Sequence, residues 1–202
     1  DPIDIINTYG LDPLRYYLIK EVSFGNDGNI SQDKLEDCIN SDLANNYGNL
    51  CQRVTAFAEK NCSSKIPKIN NFNNDDLIML NKFTENLKLI RQEIDKQNIN
   101  FYISFIVSAL FEANKYFNDQ EPWNKKEDKD RLNTIVYTSL EMIRKISFML
   151  YPIIPDSIDK ALKIFNLDSK DIILESIASH NHLIAGSEIN KIDILFKKIE
   201  KK

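Results

Sequence analysis

Asn49 and Arg53 lie four residues apart in the segment NLCQR, and the chain's only tryptophan, Trp123, lies in the turn-forming stretch EPWN. An Asn side chain offers a donor and an acceptor on one planar group, and Arg adds a forked donor that can also stack. Together they can match the Watson–Crick edge of an unpaired base, while an exposed indole can stack on its face. These three residues are therefore candidates for binding an unpaired nucleobase.

The segment around Asn49 and Arg53 has the periodicity of a long helix with two distinct faces. At about 100° per residue, one face is an apolar stripe predicted to enter the core. Its members are Ile39, Leu43, Tyr47, Leu50, Val54, Phe57 and Ala58. Beside it, within about 60° of one another, lies a polar row. This row consists of Asp42, Asn46, Asn49, Arg53 and Lys60.

Both features have two interpretations. The polar row is either a recognition surface, in which Asp42, Asn46 and Lys60 support Asn49 and Arg53, or a solvated edge of a core helix. Trp123 is either a stacking surface for a base or a partly buried lid over the helix ends.

The remaining periodicity predicts an all-α fold, since glycine and proline are scarce, with 5 and 6 copies in 202 residues. Residues 1–22 predict two short helices, the second with Asp12 as its N-cap, and a Gly-rich turn with a short extended piece follows to residue 31. The main helices are predicted over 32–60, with Ser31 as N-cap, and over 75–97, 100–118 and 127–150. A shorter helix is predicted over 156–166. The strongly apolar helix 100–118 is expected to be central to the core.

These elements suggest three regions of the chain. We expect a small connecting element over residues 1–31, a helical bundle over 32–166 and a C-terminal tail over 167–202.

The net charge of −4 argues against a protein whose whole surface binds nucleic acid, although a local site is compatible with it. A basic rim for such a site could be formed by Lys60, Lys65, Lys68, Lys125, Lys126 and Arg131, or these residues could be scattered solubilising charge. No apolar run has the length of a membrane span, and no signal-peptide pattern is present. We therefore expect a soluble cytoplasmic protein without a membrane partner.

Catalytic and metal-binding patterns are not found in the sequence. The three cysteines have no CxxC spacing, and His180 and His182 have no accompanying ligand pattern, so no metal site is predicted. The carboxylates Glu127, Asp128 and Asp130 are interpreted as a helix start rather than as acid–base groups.

Several segments resemble methionyl-tRNA synthetases. DPIDIINTYGLDPLRYYLIKEVSFGNDGNIS is similar to the segment that follows their Lys-Met-Ser-Lys-Ser loop, and NSDLANNYGNLCQR, EPW and LFKKIE resemble later landmarks in the same order. The resemblance covers nearly the whole chain. The portion Asp12 to Tyr16 is shared with other class I synthetases, whereas the combination of Asn49, Arg53 and Trp123 is much more specific to the methionine family.

This resemblance implies the anticodon-binding helical bundle of a class I aminoacyl-tRNA synthetase, with methionine tRNA as its partner. The equivalents of Asn49, Arg53 and Trp123 in that family recognise the CAU anticodon, chiefly its cytosine, with the tryptophan stacking. The tail is expected to pack back toward the enzyme's own catalytic domain.

The catalytic motifs of that family are missing from the sequence, including the His-Ile-Gly-His-like motif, the Lys-Met-Ser-Lys-Ser loop and the zinc knuckle. ATP, and zinc as a candidate cofactor, therefore belong to a catalytic region outside this sequence, and we expect the fragment to be inactive alone. Two rival interpretations are the anticodon domain of another class I synthetase, such as that for valine, isoleucine, leucine or cysteine, and a helical protein-interaction module that binds no RNA.

Overall fold

A computed structural model describes residues 1–22, 31–180 and 182–200. Its α-helices are α1 (Pro2–Tyr9), α2 (Leu11–Glu21), α3 (Gln32–Cys38), α4 (Asn49–Asn61), α5 (Asn74–Asp95), α6 (Ile99–Gln120), α7 (Lys129–Leu150), α8 (Pro155–Leu162) and α9 (Leu174–Ala178). A π-helix, Ile39–Gly48, joins α3 to α4, and short 3₁₀ turns occupy Pro122–Asn124, Lys163–Phe165 and Ser169–Asp171. The predicted all-α fold is confirmed. The extended piece predicted before residue 31 lies outside the described residues.

Helix α7 is the centre of the bundle, a position that the sequence assigned to α6. Every residue from 134 to 150 is buried, because α7 packs against α4, α5, α6 and α8. Helix α6 instead keeps one face exposed to solvent, although its opposite face contributes Ile106, Leu110 and Phe117 to the core. The sequence did not indicate the central position of α7, because this helix carries charged residues among its apolar ones.

The long helix predicted over 32–60 is present, but its middle is a π-helix rather than an α-helix. In a π-helix each N–H bonds to the carbonyl five residues earlier, so every turn contains about one residue more than an α-helical turn. A helical wheel drawn at α-helical pitch therefore misplaces residues before Gly48 relative to those after it.

The N-terminal helices are fixed to the bundle by Asp12 and by Arg15, whose Nη2 donates to the Pro152 carbonyl at 2.9 Å. Asp12 is not the N-cap of α2, since that helix begins at Leu11 after Gly10, which has a φ of 93°. Its carboxylate instead accepts a hydrogen bond from the Ser157 N–H at 2.6 Å, in the first turn of α8. A carboxylate at this position satisfies a free N–H of the helix end and interacts favourably with the helix dipole.

The C-terminal tail packs back across the bundle. Gly186 N–H donates to the Ile66 carbonyl and Ile66 N–H donates to the Ser187 carbonyl, both at 2.8 Å. Further along, the Asn40 side chain bonds both the N–H and the carbonyl of Ile199, at 2.8 and 2.9 Å. The tail thus runs from the loop after α4 to the start of the π-helix. None of the helices in the described part of the chain is long and apolar enough to cross a membrane.

Candidate nucleic-acid interface

Asn49 and Arg53 lie on one face of α4, which is regular α-helix from its first residue. Residues four apart in an α-helix are neighbours on its surface. Both side chains are half-exposed, and within the described residues the Asn49 amide has no hydrogen-bond partner. The neighbouring Leu50 and Val54 are fully buried and hold this part of α4 against the core. The two polar groups are therefore presented to solvent from a rigid element.

The guanidinium of Arg53 is held in place by two residues of α6. Its Nη2 donates to the Asn118 Oδ1 at 2.6 Å, and its Cζ lies 5.5 Å from the centroid of the Phe117 ring. A guanidinium over an aromatic face gains a cation–π attraction of roughly 0.5–1 kcal/mol at an exposed site. These contacts leave the remaining N–H donors of Arg53 available to a ligand, since a guanidinium has five.

Trp123 lies in the 3₁₀ turn after α6 and is 39% exposed. The preceding residues place it there, because Glu121 ends α6 in the left-handed conformation, with a φ of 45°, and Pro122 is buried. The indole meets the edge of Phe117, with ring centroids 6.1 Å apart and planes at 71°. Phe117 therefore contacts both Arg53 and Trp123, although these are 70 positions apart in the sequence.

Two of the three supporting residues are not part of this arrangement. Asp42 is buried, and its carboxylate accepts from the Tyr16 hydroxyl at 2.9 Å and pairs with Lys20 Nζ at 2.8 Å. It faces α2 because it precedes Gly48 in the π-helix, where α-helical pitch does not apply. Burial and the Asp42 carboxylate raise the pKa of the Tyr16 hydroxyl. Lys60 is exposed near the far end of α4.

Asn46, the third supporting residue, lies beside the group formed by Asn49, Arg53, Phe117 and Trp123. Its side-chain oxygen accepts a hydrogen bond from the Asn114 amide at 2.6 Å, and Asn114 also reaches the Leu110 carbonyl at 3.0 Å. Asn114 and Asn118 are one turn apart on α6, so α6 meets the polar row of the long helix at two successive turns.

The basic rim is reduced by one member. Arg131 forms a two-pronged ion pair with Asp76, through Nη1–Oδ2 at 2.6 Å and Nη2–Oδ1 at 3.0 Å, and Asp76 is fully buried. Tyr116 donates a hydrogen bond to the same carboxylate. Arg131 therefore ties α7 to α5 rather than facing a ligand. Lys60, Lys65, Lys68 and Lys126 are exposed, and Lys125 is half-exposed.

Sequence reasoning missed Phe117, Asn114 and Asn118, which α6 brings to the site. The detectable signal was the spacing of Asn114 and Asn118, which places two amides on one face of a helix otherwise rich in apolar residues. Nothing in the sequence links Phe117 with Trp123 and Arg53, because aromatic residues at helical spacing usually mark the core. Phe117 does lie in the core, with 2% exposure.

The described residues contain no group of three His, Cys, Asp or Glu side chains that could hold a metal ion. His180 and His182 lie near the buried Glu141, and burial lowers the pKa of both imidazoles. The contact between them is a hydrogen bond in which the backbone N–H of His182 donates to the Glu141 carboxylate at 2.7 Å.

Comparison with known families shows which family the chain belongs to. Residues 66–202 match the family described as the anticodon binding domain of methionyl tRNA ligase. The chain belongs to this family. Residues 1–55 match class I tRNA synthetases of the methionine type, so the anticodon-binding domain is preceded by a segment shared with the synthetase itself. The resemblance inferred from the sequence is confirmed.

Relatives of this anticodon-binding domain are considerably longer. The methionine–tRNA ligase of Rickettsia conorii is 37% identical over 204 residues, covering 99% of this chain and 40% of that protein. The solved structure of apo Mycobacterium tuberculosis methionyl-tRNA synthetase has a TM-score of 0.92 at 28% identity, covering 100% of this chain and 41% of that one. The same enzyme bound by methionyl-adenylate has a TM-score of 0.91 at 29% identity, covering 98% and 40%. The chain thus spans about two fifths of the length of these relatives.

Proposed function

We propose that this domain recognises the CAU anticodon of methionine tRNA, so that the complete enzyme can attach methionine with ATP. In this proposal the cytosine stacks on Trp123, while Asn49 and Arg53 bond its polar edge. Asn46, held by Asn114, lies beside them and can contact the neighbouring nucleotide.

The observation that carries the proposal is the contact of Phe117 with both Arg53 and Trp123. An anticodon base needs a flat surface for its face and donors for its edge, presented close together. Phe117 provides that proximity from a buried position, and the indole keeps 39% of its surface open.

The net negative charge of the chain favours a binding site whose affinity depends on contacts with bases rather than with phosphates. Lysines 60, 65, 68, 125 and 126 can attract phosphate groups, but the chain as a whole has a net charge of −4. Phosphate attraction is independent of sequence, whereas hydrogen bonds to base edges distinguish one base from another. We therefore expect modest overall affinity with strong dependence on the cytosine.

The chemistry of methionine activation belongs to the rest of the enzyme. Methionyl-adenylate, which is bound in one of the Mycobacterium tuberculosis structures, forms from methionine and ATP with release of pyrophosphate. In our proposal this chain supplies no reacting group and positions the tRNA for a distant catalytic domain.

The test is aminoacylation by the complete enzyme with CAU tRNA and with tRNAs altered at the cytosine. Trp123→Ala should weaken use of CAU tRNA by about 1–3 kcal/mol, the value of one base–aromatic stack. Arg53→Ala should reduce the preference for cytosine over other bases by about 1–3 kcal/mol, the magnitude of a good polar base contact. Exchange of pyrophosphate into ATP without tRNA should stay near the parent level.

Arg91→Ala is the matched control for Arg53→Ala, because Arg91 is exposed on α5 and removal of its charge changes the net charge equally. It should leave discrimination between anticodons unchanged. If the Trp123 and Arg53 variants charged CAU and altered tRNAs like the parent enzyme, the anticodon assignment would be wrong.

A further inference from the structure

An exposed aromatic residue, Phe111, lies on the same face of α6 as the residues that contact the anticodon site. Phe111 is 63% exposed, which is unusual for so large an apolar side chain. Asn118, which binds Arg53, lies seven residues further along α6, and Asn114, which binds Asn46, lies three residues further. Seven residues make almost two full α-helical turns, so Phe111 and Asn118 point in nearly the same direction.

The surroundings of Phe111 are mostly polar, although Val107, four residues earlier on the same face, is partly exposed and Lys115 is paired with Asp119. Ser108, Lys115 and Asn118, which share its face at spacings of three, four and seven residues, are all exposed. An interface for a protein partner normally has a contiguous apolar core, which a single ring among polar side chains does not provide. Single-stranded nucleic acids, in contrast, are bound by isolated aromatic side chains in polar, partly cationic surfaces.

We propose that Phe111 is a second stacking surface, which takes another unpaired base of the same anticodon loop. The proposal rests on the function proposed above, because it is the cytosine at Trp123 that brings the loop to α6. Phe111 lies about 10 Å from Asn118 along the helix axis, from the rise of 1.5 Å per residue. Asn118 marks the position of the cytosine, because it holds Arg53, which is proposed to bond that base. Stacked bases are about 3.4 Å apart and splayed bases lie further apart, so about 10 Å corresponds to at most about three nucleotides. The occupant is therefore a base within about three nucleotides of the cytosine.

The geometry also gives the loop a direction. From Trp123, the sites follow in order: Arg53 with Asn118, then Asn46 with Asn114, then Phe111. The RNA would run along the seam between the long helix and α6, with an aromatic ring at each end and amide groups between them. Amides offer both donors and acceptors to base edges, which suits a segment whose bases are splayed apart.

The experiment measures binding of the complete enzyme to a synthetic CAU anticodon stem–loop RNA. Phe111→Ala should weaken binding about tenfold, within the range for loss of one base–aromatic stack, and Phe111→Tyr should retain it. Ile184→Ala is the control, since Ile184 is 74% exposed in the tail and carries no role in the proposal. Circular dichroism verifies that each variant keeps the helical fold.

Stem–loops with a single abasic nucleotide identify the contacted base. Removal of one base within three nucleotides of the cytosine should weaken binding to the parent and abolish the difference between parent and Phe111→Ala. If Phe111→Ala binds every RNA like the parent while Trp123→Ala is weakened, the second stacking surface is wrong and the anticodon site stands. If neither variant is weakened, the proposed function itself fails.

Discussion

Arg53 and Arg144 both lie over a phenylalanine ring, yet the two regions around them differ in every other respect. Arg53 is half-exposed, and one hydrogen bond to Asn118 holds its guanidinium. Arg144 has no exposed surface, and its Cζ lies 5.0 Å from the Phe148 centroid. All three nitrogens of its guanidinium are bonded to the protein.

The buried residues Arg144 and Glu141 hold two parts of the fold together. Arg144 Nε donates to Glu141 Oε2 at 2.7 Å, and its Nη2 donates to the Ser176 carbonyl at 2.7 Å. Glu141 Oε1 accepts from the N–H groups of His182 and Leu183 at 2.7 and 2.8 Å. The pair therefore joins the central helix α7 to the C-terminal tail.

Residue type alone therefore does not distinguish a residue that binds a ligand from one that stabilises the fold. An arginine whose three guanidinium nitrogens are all hydrogen-bonded in the interior stabilises the fold, whereas one that keeps donors free at the surface can bind a ligand. Variants of each region test this distinction.

Replacement of Arg144 by Met should destabilise the domain by about 3–5 kcal/mol, because it leaves the buried Glu141 carboxylate without its charged partner. Arg53→Met should cost less than about 1 kcal/mol, since its hydrogen-bond partner Asn118 is exposed and can bond water instead. Urea unfolding of the two variants measures the difference. Equal losses would mean that Arg53 is as structural as Arg144.

The pH dependence of stability should reveal the fully buried Lys145, next to Arg144 on α7. Its Nζ donates to the Leu80 carbonyl at 3.1 Å, and burial, partly offset by the Glu141 carboxylate, lowers the pKa of Lys145 to about 8. An unfolded lysine has a pKa of about 10.4. Between these values the unfolded chain binds a proton that the folded chain does not, so the contribution of Lys145 to stability rises with pH.

The measurement is the stability difference between the parent and Lys145→Met, which should rise by up to about 1.4 kcal/mol per pH unit from pH 8 to 10. Buried Cys38 and Cys51, whose pKa values are raised to about 12 by burial, act in the opposite direction. Their contribution cancels because both proteins contain them. If the stability difference did not change across this range, burial would not lower the pKa of Lys145 in the folded protein.

Phe117→Leu should lower stability by about 1–2 kcal/mol, through loss of its edge contacts with Phe57 and Trp123. It should also reduce the preference for cytosine, by less than Arg53→Ala does, because the ring positions Arg53 without touching the base. Stem–loop binding with cytosine and altered bases measures this preference.

Phe105→Leu is the matched control on the same helix. Phe105 meets Phe83 edge to face at 5.5 Å and lies 5.7 Å from Lys82 Nζ, so it has the same kinds of contact away from the proposed anticodon site. We expect a similar loss of stability with unchanged base preference. If Phe117→Leu and Phe105→Leu changed base preference equally, Phe117 would have no specific role in positioning Arg53.

The helices were predictable from the sequence because their signals are local. The apolar spacing in α5, α6 and α7, and the turn at Pro122, depend only on residues within a few positions of one another. The all-α fold and the main helix limits followed directly. The division into a connecting element, a bundle and a tail remains a prediction.

The candidate site was predictable in part. Asn49 and Arg53 share a face because α4 is regular, and α-helical spacing is sufficient to infer that. Asp42 could not be placed correctly, because the π-helix between it and Arg53 changes the number of residues per turn, and its contacts with Tyr16 and Lys20 require α2 to pack nearby.

The sequence by itself determined the helical segments and, through its resemblance to methionyl-tRNA synthetases, the family. Only the tertiary structure decided which polar groups have partners within the protein and which remain free for a ligand. Arg131 pairs with Asp76, Asp12 bonds the first turn of α8, and Arg144 pairs with Glu141 and bonds the tail. The physical reason is that helix formation depends on short-range periodicity and capping, whereas the partner and the burial of a charged side chain depend on distant segments that meet only when the helices pack.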